Sequence, residues 1–114
     1  MIVDDDPAVR QALAFTVELE GYAVATCAGA AALLAFDLPA TRACLVIDER
    51  LPDGSGLKAL AQLRAAGCQL PAAMITSHPN RRFRQAAHSA GAPVLEKPLI
   101  EDGLIGWIRT VAPL

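Results

Sequence analysis

Ala43-Cys44-Leu45-Val46-Ile47-Asp48 is a dense apolar run that ends abruptly on a carboxylate. Near-continuous apolar character is what a parallel strand shows when both of its faces are covered, so the run predicts a central strand with Asp48 at its carboxyl end. Downstream, Gly54-Ser55-Gly56 opens a helix through about Ala66, in which Leu57, Leu60 and Leu63 recur at helical spacing until Gly67 stops it. Ala72 to Ile75 is a further strand ending at Thr76. Asn80 caps a helix to about Ala90, Val94 to Glu96 is a brief strand ending at Lys97, and Ile100 to Val111 closes the chain as a helix. Upstream, Met1 to Val3 is an apolar stub followed by Asp4, Asp5 and Asp6. Asp6 caps a helix that starts at Pro7 and runs to about Glu20, with Val9, Leu13 and Val17 on one face and Gly21 as its stop. Tyr22 to Cys27 reads as a short strand and Ala30 to Phe36 as a short helix. Alternation of this kind predicts an α/β fold, a five-stranded doubly wound parallel sheet with five flanking helices.

Length and composition are consistent with one domain over residues 1–114. With 54% apolar residues the chain can bury a core without disulfides or a structural metal. Ten basic against twelve acidic side chains leave a net charge of −2, which provides no general field for nucleic acid or an anionic membrane. No apolar run is long enough to span a bilayer and the N-terminus lacks the order of a signal peptide, so a soluble, cytoplasmic protein is expected. Cys27, Cys44 and Cys68 are isolated, without metal-ligand spacing, and read as reduced side chains packing as small hydrophobes.

Polar residues of distinct type close four of the strands: Asp4 and Asp5, then Asp48, Thr76 and Lys97. Open parallel sheets bind ligands outside the carboxyl ends of their strands, where strand order reverses, so these side chains can converge on one pocket. Carboxylates 4 Å apart repel by roughly 4 kcal/mol per pair at an effective dielectric near 20, so positive charge must sit among them. Hard oxygen donors without His or Cys favour Mg²⁺. Lys97 supplies a second positive charge. A carboxylate can act as nucleophile toward phosphorus, and such transfer is catalysed by alignment and by neutralising the equatorial oxygens, roles that suit Mg²⁺, Lys97 and the Thr76 hydroxyl.

The segments VDDDPAVR (3–10), VIDERLPDGSGL (46–57), MITSHP (74–79) and LEKPL (95–99), in this order, resemble response-regulator receiver domains over essentially the whole chain. The likeness implies a CheY-like, flavodoxin-like sheet and a two-component signalling switch, not an enzyme. It makes Asp48 the phosphoacceptor, Asp5 a direct Mg²⁺ ligand with Asp4 close by, and Arg50 a ligand through its backbone carbonyl, with Thr76 and Lys97 on the phosphoryl oxygens. Implied partners are a sensor histidine kinase or phosphotransfer protein, a phosphorylation-dependent second copy, and an output domain or target outside this sequence; neither nucleic acid nor membrane is implied. Arg50 and His78 stand two positions after the phosphoacceptor and the threonine, where the family lines the path of the hydrolytic water, and together they resemble its FixJ-like subgroup. In the family an aromatic residue three positions before the lysine changes rotamer with the threonine; here that position is Val94, and the interval from Ala90-Gly91-Ala92 to Lys97 is one residue shorter. The first strand, two residues before Val3, is also short for the family and is expected if the start of the chain is trimmed or misassigned.

Other readings remain at this point. A haloacid-dehalogenase-type phosphatase also uses an aspartyl phosphate, Mg²⁺, Thr or Ser, and Lys, but places its nucleophile after the first strand and needs later acidic ligands, where only Glu101 and Asp102 follow Lys97. A flavodoxin-like module would cradle a phosphate after strand one, where Asp4-Asp5-Asp6 would repel it. A metal-free interaction module is the third. Arg81, Arg82 and Arg84 read as a solvated helix face before a docking patch, His88 as a surface residue, and Trp107 with Ile108 as the anchor of the last helix.

Overall fold

The computed structural model describes residues 1–97, 99 and 103–114. Its elements are β1 (Ile2–Val3), α1 (Pro7–Leu19), β2 (Thr26–Cys27), α2 (Ala30–Ala35), β3 (Leu45–Asp48), α3 (Gly56–Ala65), β4 (Ala72–Thr76), α4 (Arg81–Ser89), β5 (Val94–Glu96) and α5 (Gly103–Val111). The strands are parallel and ordered β2-β1-β3-β4-β5. Strand order therefore reverses between β1 and β3, which opens a crevice at their carboxyl ends.

Alternation along the strands splits the core into two layers. Ile2, Val46 and Ile75 pack with Val17 of α1 and with Leu104, Ile105 and Ile108 of α5. Val3, Leu45, Ile47 and Met74 point the other way, onto Leu33 of α2, Leu60 and Leu63 of α3 and Ala87 of α4. Each fully buried Leu, Ile or Val contributes about 1.5–3 kcal/mol, and β3 supplies such residues to both layers. That double burial is why its sequence reads as an unbroken apolar run. Trp107 packs partly buried against the α1–α5 layer beside Ile108, as expected of an anchor.

Helix starts follow the caps. The Asp6 carboxylate accepts from Ala8 N at 2.9 Å and Val9 N at 3.4 Å, and Asn80 Oδ1 accepts from Phe83 N at 2.8 Å. Gly21 and Gly67 follow α1 and α3 with φ of +99° and +96°, the left-handed region that ends a helix at little cost for glycine.

Several boundaries differ from expectation. The strand read over Tyr22 to Cys27 is only Thr26–Cys27, because its partner β1 offers just Ile2 and Val3 to pair with. Ala43 and Cys44 precede β3 instead of belonging to it. Arg50–Leu51 and Gly54–Ser55 pair antiparallel around Pro52-Asp53, a hairpin the period-two pattern does not announce. The expected opening of the last helix at Ile100, like Pro98, Glu101 and Asp102, lies outside the described residues.

Candidate functional site

The crevice between β1 and β3 is walled by polar side chains that the strands deliver from below. Asp4 directly follows β1, is wholly buried, and is fixed through its backbone: Asp4 N donates to Cys27 O at 3.2 Å and Arg10 Nη1 donates to Asp4 O at 2.7 Å. Asp48 ends β3 and is 5% exposed, whereas Asp5 faces solvent. Asp4, Asp5 and Asp48 each bring a carboxylate oxygen within 4.8 Å of the other two.

Lys97, just past β5, spans this group. Its Nζ donates to Asp4 Oδ2 at 2.8 Å and to Asp48 Oδ2 at 3.0 Å. The remaining oxygens point elsewhere: Asp4 Oδ1 accepts from Asp6 N at 3.0 Å, and Asp48 Oδ1 lies 3.4 Å from Arg50 N. Thr76 ends β4 buried beside β3, with its Oγ1 accepting from His78 N at 3.3 Å, and Lys97 N donates to Thr76 O at 2.8 Å. The predicted group Asp4, Asp5, Asp48, Thr76 and Lys97 is thus gathered at one edge of the sheet, with the backbone of Arg50 beside Asp48. The Arg50 and His78 side chains are exposed at the rim.

Burial pushes the Asp48 carboxyl above the usual carboxylate range and Asp4 adds to the rise, while hydrogen bonding and charge from Lys97 oppose it without reversing it. Burial alone would lower the Lys97 ammonium, but its hydrogen bonds to Asp4 and Asp48 outweigh that and hold it above its ordinary value. One ammonium against three carboxylates leaves the cluster negative. The donor set is all oxygen and its Asp5 side is open to solvent, which fits a hard divalent cation better than a softer metal.

Three contributors escaped the sequence reading. Arg10, one turn into α1, reaches back to the Asp4 carbonyl. The Glu49 carboxylate binds the start of α3, and the Asp53 carboxylate binds the start of α2. The VDDD-x-x-x-R spacing signals the first of these; the other two depend on how separate elements pack.

A family model for the response regulator receiver domain matches residues 1–109. The chain belongs to this family. Among similar proteins, the transcriptional regulatory protein FixJ of Azorhizobium caulinodans is 38% identical over 109 residues, covering 95% of this chain and 52% of that protein. The response regulator protein TmoT of Ectopseudomonas mendocina is 37% identical over 114 residues, covering 99% and 52%. The receiver thus spans about half the length of these curated relatives. Among solved structures, the crystal structure of FixJ-N superposes with a TM-score of 0.86 at 36% identity, covering 97% of this chain and 90% of that one. The response regulator StyR gives 0.88 at 34% identity, covering 97% and 57%. The chain is therefore a receiver domain of two-component response regulators, and the phosphatase reading is not favoured. Among the described residues no helix is long and apolar enough to cross a membrane.

Proposed function

We propose that this receiver takes a phosphoryl group onto Asp48 in a Mg²⁺-dependent reaction and changes conformation to control an output domain or partner. The observation that carries the reading is the Lys97 ammonium held between Asp4 and Asp48, with the Asp5 oxygen on the open side. Asp5, Asp48 and the Arg50 backbone carbonyl would hold the cation. Asp4, whose two oxygens already accept from Asp6 N and Lys97 Nζ, adds charge and orients the lysine. When bound, Mg²⁺ supplies the positive charge that aligns and neutralises the incoming phosphoryl oxygens.

An Asp48 carboxylate oxygen forms the new O–P bond while the phosphorus bond to the donor breaks and the leaving group departs with its electron pair. Lys97, already hydrogen-bonded to Asp48 Oδ2, remains beside the charge that develops, and the Thr76 hydroxyl turns from His78 N toward the phosphoryl group. Thr76 lies opposite Glu96 in the β4–β5 ladder, so its movement acts on β5 and the adjoining α4 and α5. Val94, half-buried against the core, has no aromatic ring to swing, so the change passes through strand and helix displacement. The phosphodonor is a sensor histidine kinase or phosphotransfer protein, the setting is cytoplasmic, and a phosphorylation-dependent homodimer is compatible with the same surface. No turnover of a separate substrate is implied.

Incubation with acetyl phosphate and Mg²⁺ should add the mass of one phosphoryl group, and chelating the metal should prevent it; uptake undiminished by chelation would remove the metal from the reaction. A second expectation concerns decay. Arg50 and His78 occupy the exposed positions two residues after Asp48 and Thr76, from which the family lines the path of the hydrolytic water, so replacing both with alanine should change the lifetime of the aspartyl phosphate. Time-resolved intact mass after removing the donor reads it; an unchanged half-life would show that the two side chains do not govern hydrolysis.

A further inference from the structure

Two carboxylates near the site bind neither Lys97 nor the acidic cluster. Glu49 is the residue after Asp48, and its side chain turns away from the crevice. Both of its carboxylate oxygens accept from Ser55 Oγ at 2.9 Å, and Oε1 also accepts from Leu57 N at 2.8 Å. Its backbone is held as well: Glu49 N donates to Ile75 O at 3.0 Å, and Gly56 N donates to Glu49 O at 2.9 Å. Asp53 sits at the tip of the Arg50–Ser55 hairpin, where its two oxygens accept from Ala30 N at 2.8 Å and Ala31 N at 2.9 Å. Those amides open α2, whose own cap residue, Gly29, makes no side-chain cap. A Cβ on Gly29 would lie 2.8 Å from Asp53 Oδ1, so a side chain there would have to push the Asp53 carboxylate aside. The hairpin is therefore tied at its root to α3 and at its tip to α2, and Arg50 lies between the ties.

We propose that Glu49, aided by Asp53, is a positioning residue that holds the 49–55 hairpin so that the Arg50 backbone carbonyl and Asp48 face the same cation. This deepens the function proposed above and rests on it. A backbone carbonyl is a ligand only if its peptide plane is aimed, and nothing in the Arg50 side chain, which is exposed, can aim it. The Glu49 bonds fix the peptides on either side of the strand-to-helix turn. The Asp53 bonds stop the tip from swinging away from the sheet.

The test is a calorimetric Mg²⁺ titration of the unphosphorylated chain and its variants. Glu49→Ala should weaken Mg²⁺ binding roughly tenfold, the low end for partners that orient metal ligands. Glu49→Gln should stay within about twofold of the parent, because an amide oxygen still accepts from Ser55 Oγ and Leu57 N. Asp53→Ala should lose less than Glu49→Ala, in the same direction. Arg64→Ala serves as the stability control: Arg64 Nη1 donates to Cys68 O and Leu70 O at the far end of α3, so that variant should lose stability and keep its Mg²⁺ affinity. Parent-like affinity in Glu49→Ala overturns the proposal, as does an equal loss in Glu49→Gln, which would make the effect one of charge instead of position. If the parent itself binds no Mg²⁺, the function proposed above fails and takes this inference with it; if the parent binds and Glu49→Ala binds as well, only this inference fails.

Discussion

Replacing Gly56 with alanine is expected to destabilise the native fold more than any other substitution proposed, lowering its thermal midpoint by well over about ten degrees. A Cβ at this position would lie 2.1 Å from the Asp48 carbonyl oxygen, 2.8 Å from Ile47 Cγ2 and 3.0 Å from the Asp48 carbonyl carbon. Two of those atoms are backbone of β3, which cannot yield: β1 and β4 flank it on both edges, and Ile47 is wholly buried beneath it. The first turn of α3 would have to lift, breaking Gly56 N to Glu49 O and the Glu49 contacts with Ser55 and Leu57. Overpacking against fixed backbone together with those losses should cost about 4 kcal/mol or more, a large share of the 5–15 kcal/mol that stabilises a typical domain. Thermal unfolding by circular dichroism checks it, and a midpoint within a few degrees of the parent would mean that α3 does not approach Asp48 this closely.

Lys97→Ala has the next largest expected effect, and its size depends on metal. The ammonium carries hydrogen bonds to Asp4 and Asp48, and without it three clustered carboxylates have no counter-charge on that side. Removing one partner of a largely buried pair leaves the other charge uncompensated, so the metal-free variant should lose about 3 kcal/mol. Under the proposed function Mg²⁺ would bind the folded cluster and not the unfolded chain, so it should return more stability to the variant than it adds to the parent. Urea unfolding in chelator and in Mg²⁺ supplies both numbers. Equal stabilities in chelator, or equal gains from Mg²⁺, would show that Lys97 is not what makes the cluster tolerable. Phosphoryl uptake should also slow in this variant, since the charge facing the transferred oxygens is gone.

Much of the fold was legible because local patterns and burial agree. Leu45 to Ile47 read as a doubly covered strand and are indeed split between two core layers, with Val46 on one and Leu45 and Ile47 on the other. Asp6, Ser55 and Asn80 were readable as helix starts because a cap acts on its own next turn. The limits were equally physical. Tyr22 to Val24 have strand-like composition but no strand to pair with, since β1 is two residues long and its Ile2 N reaches only as far as Ala25 O. The hairpin around Pro52-Asp53 is held by Glu49 and by α2, which no period in the sequence encodes.

The site was legible in a different way. Asp4, Asp48, Thr76 and Lys97 each close a strand, and a parallel sheet places strand ends along one edge, so topology alone brought them together. Hidden were the residues that aim them. Arg10 grips the Asp4 carbonyl, and Asp53 reaches amides 22 and 23 positions away in sequence, contacts that exist only once the helices have packed.

The most direct measurement is intact mass of the native chain and of Asp48→Ala after incubation with acetyl phosphate and Mg²⁺, followed by peptide mapping of any adduct. The native chain should gain a single phosphoryl group mapped to Asp48, and Asp48→Ala should gain none. Uptake that survives Asp48→Ala, or a label found on Asp4 or Asp6, would contradict the assignment of Asp48 as the phosphoryl acceptor.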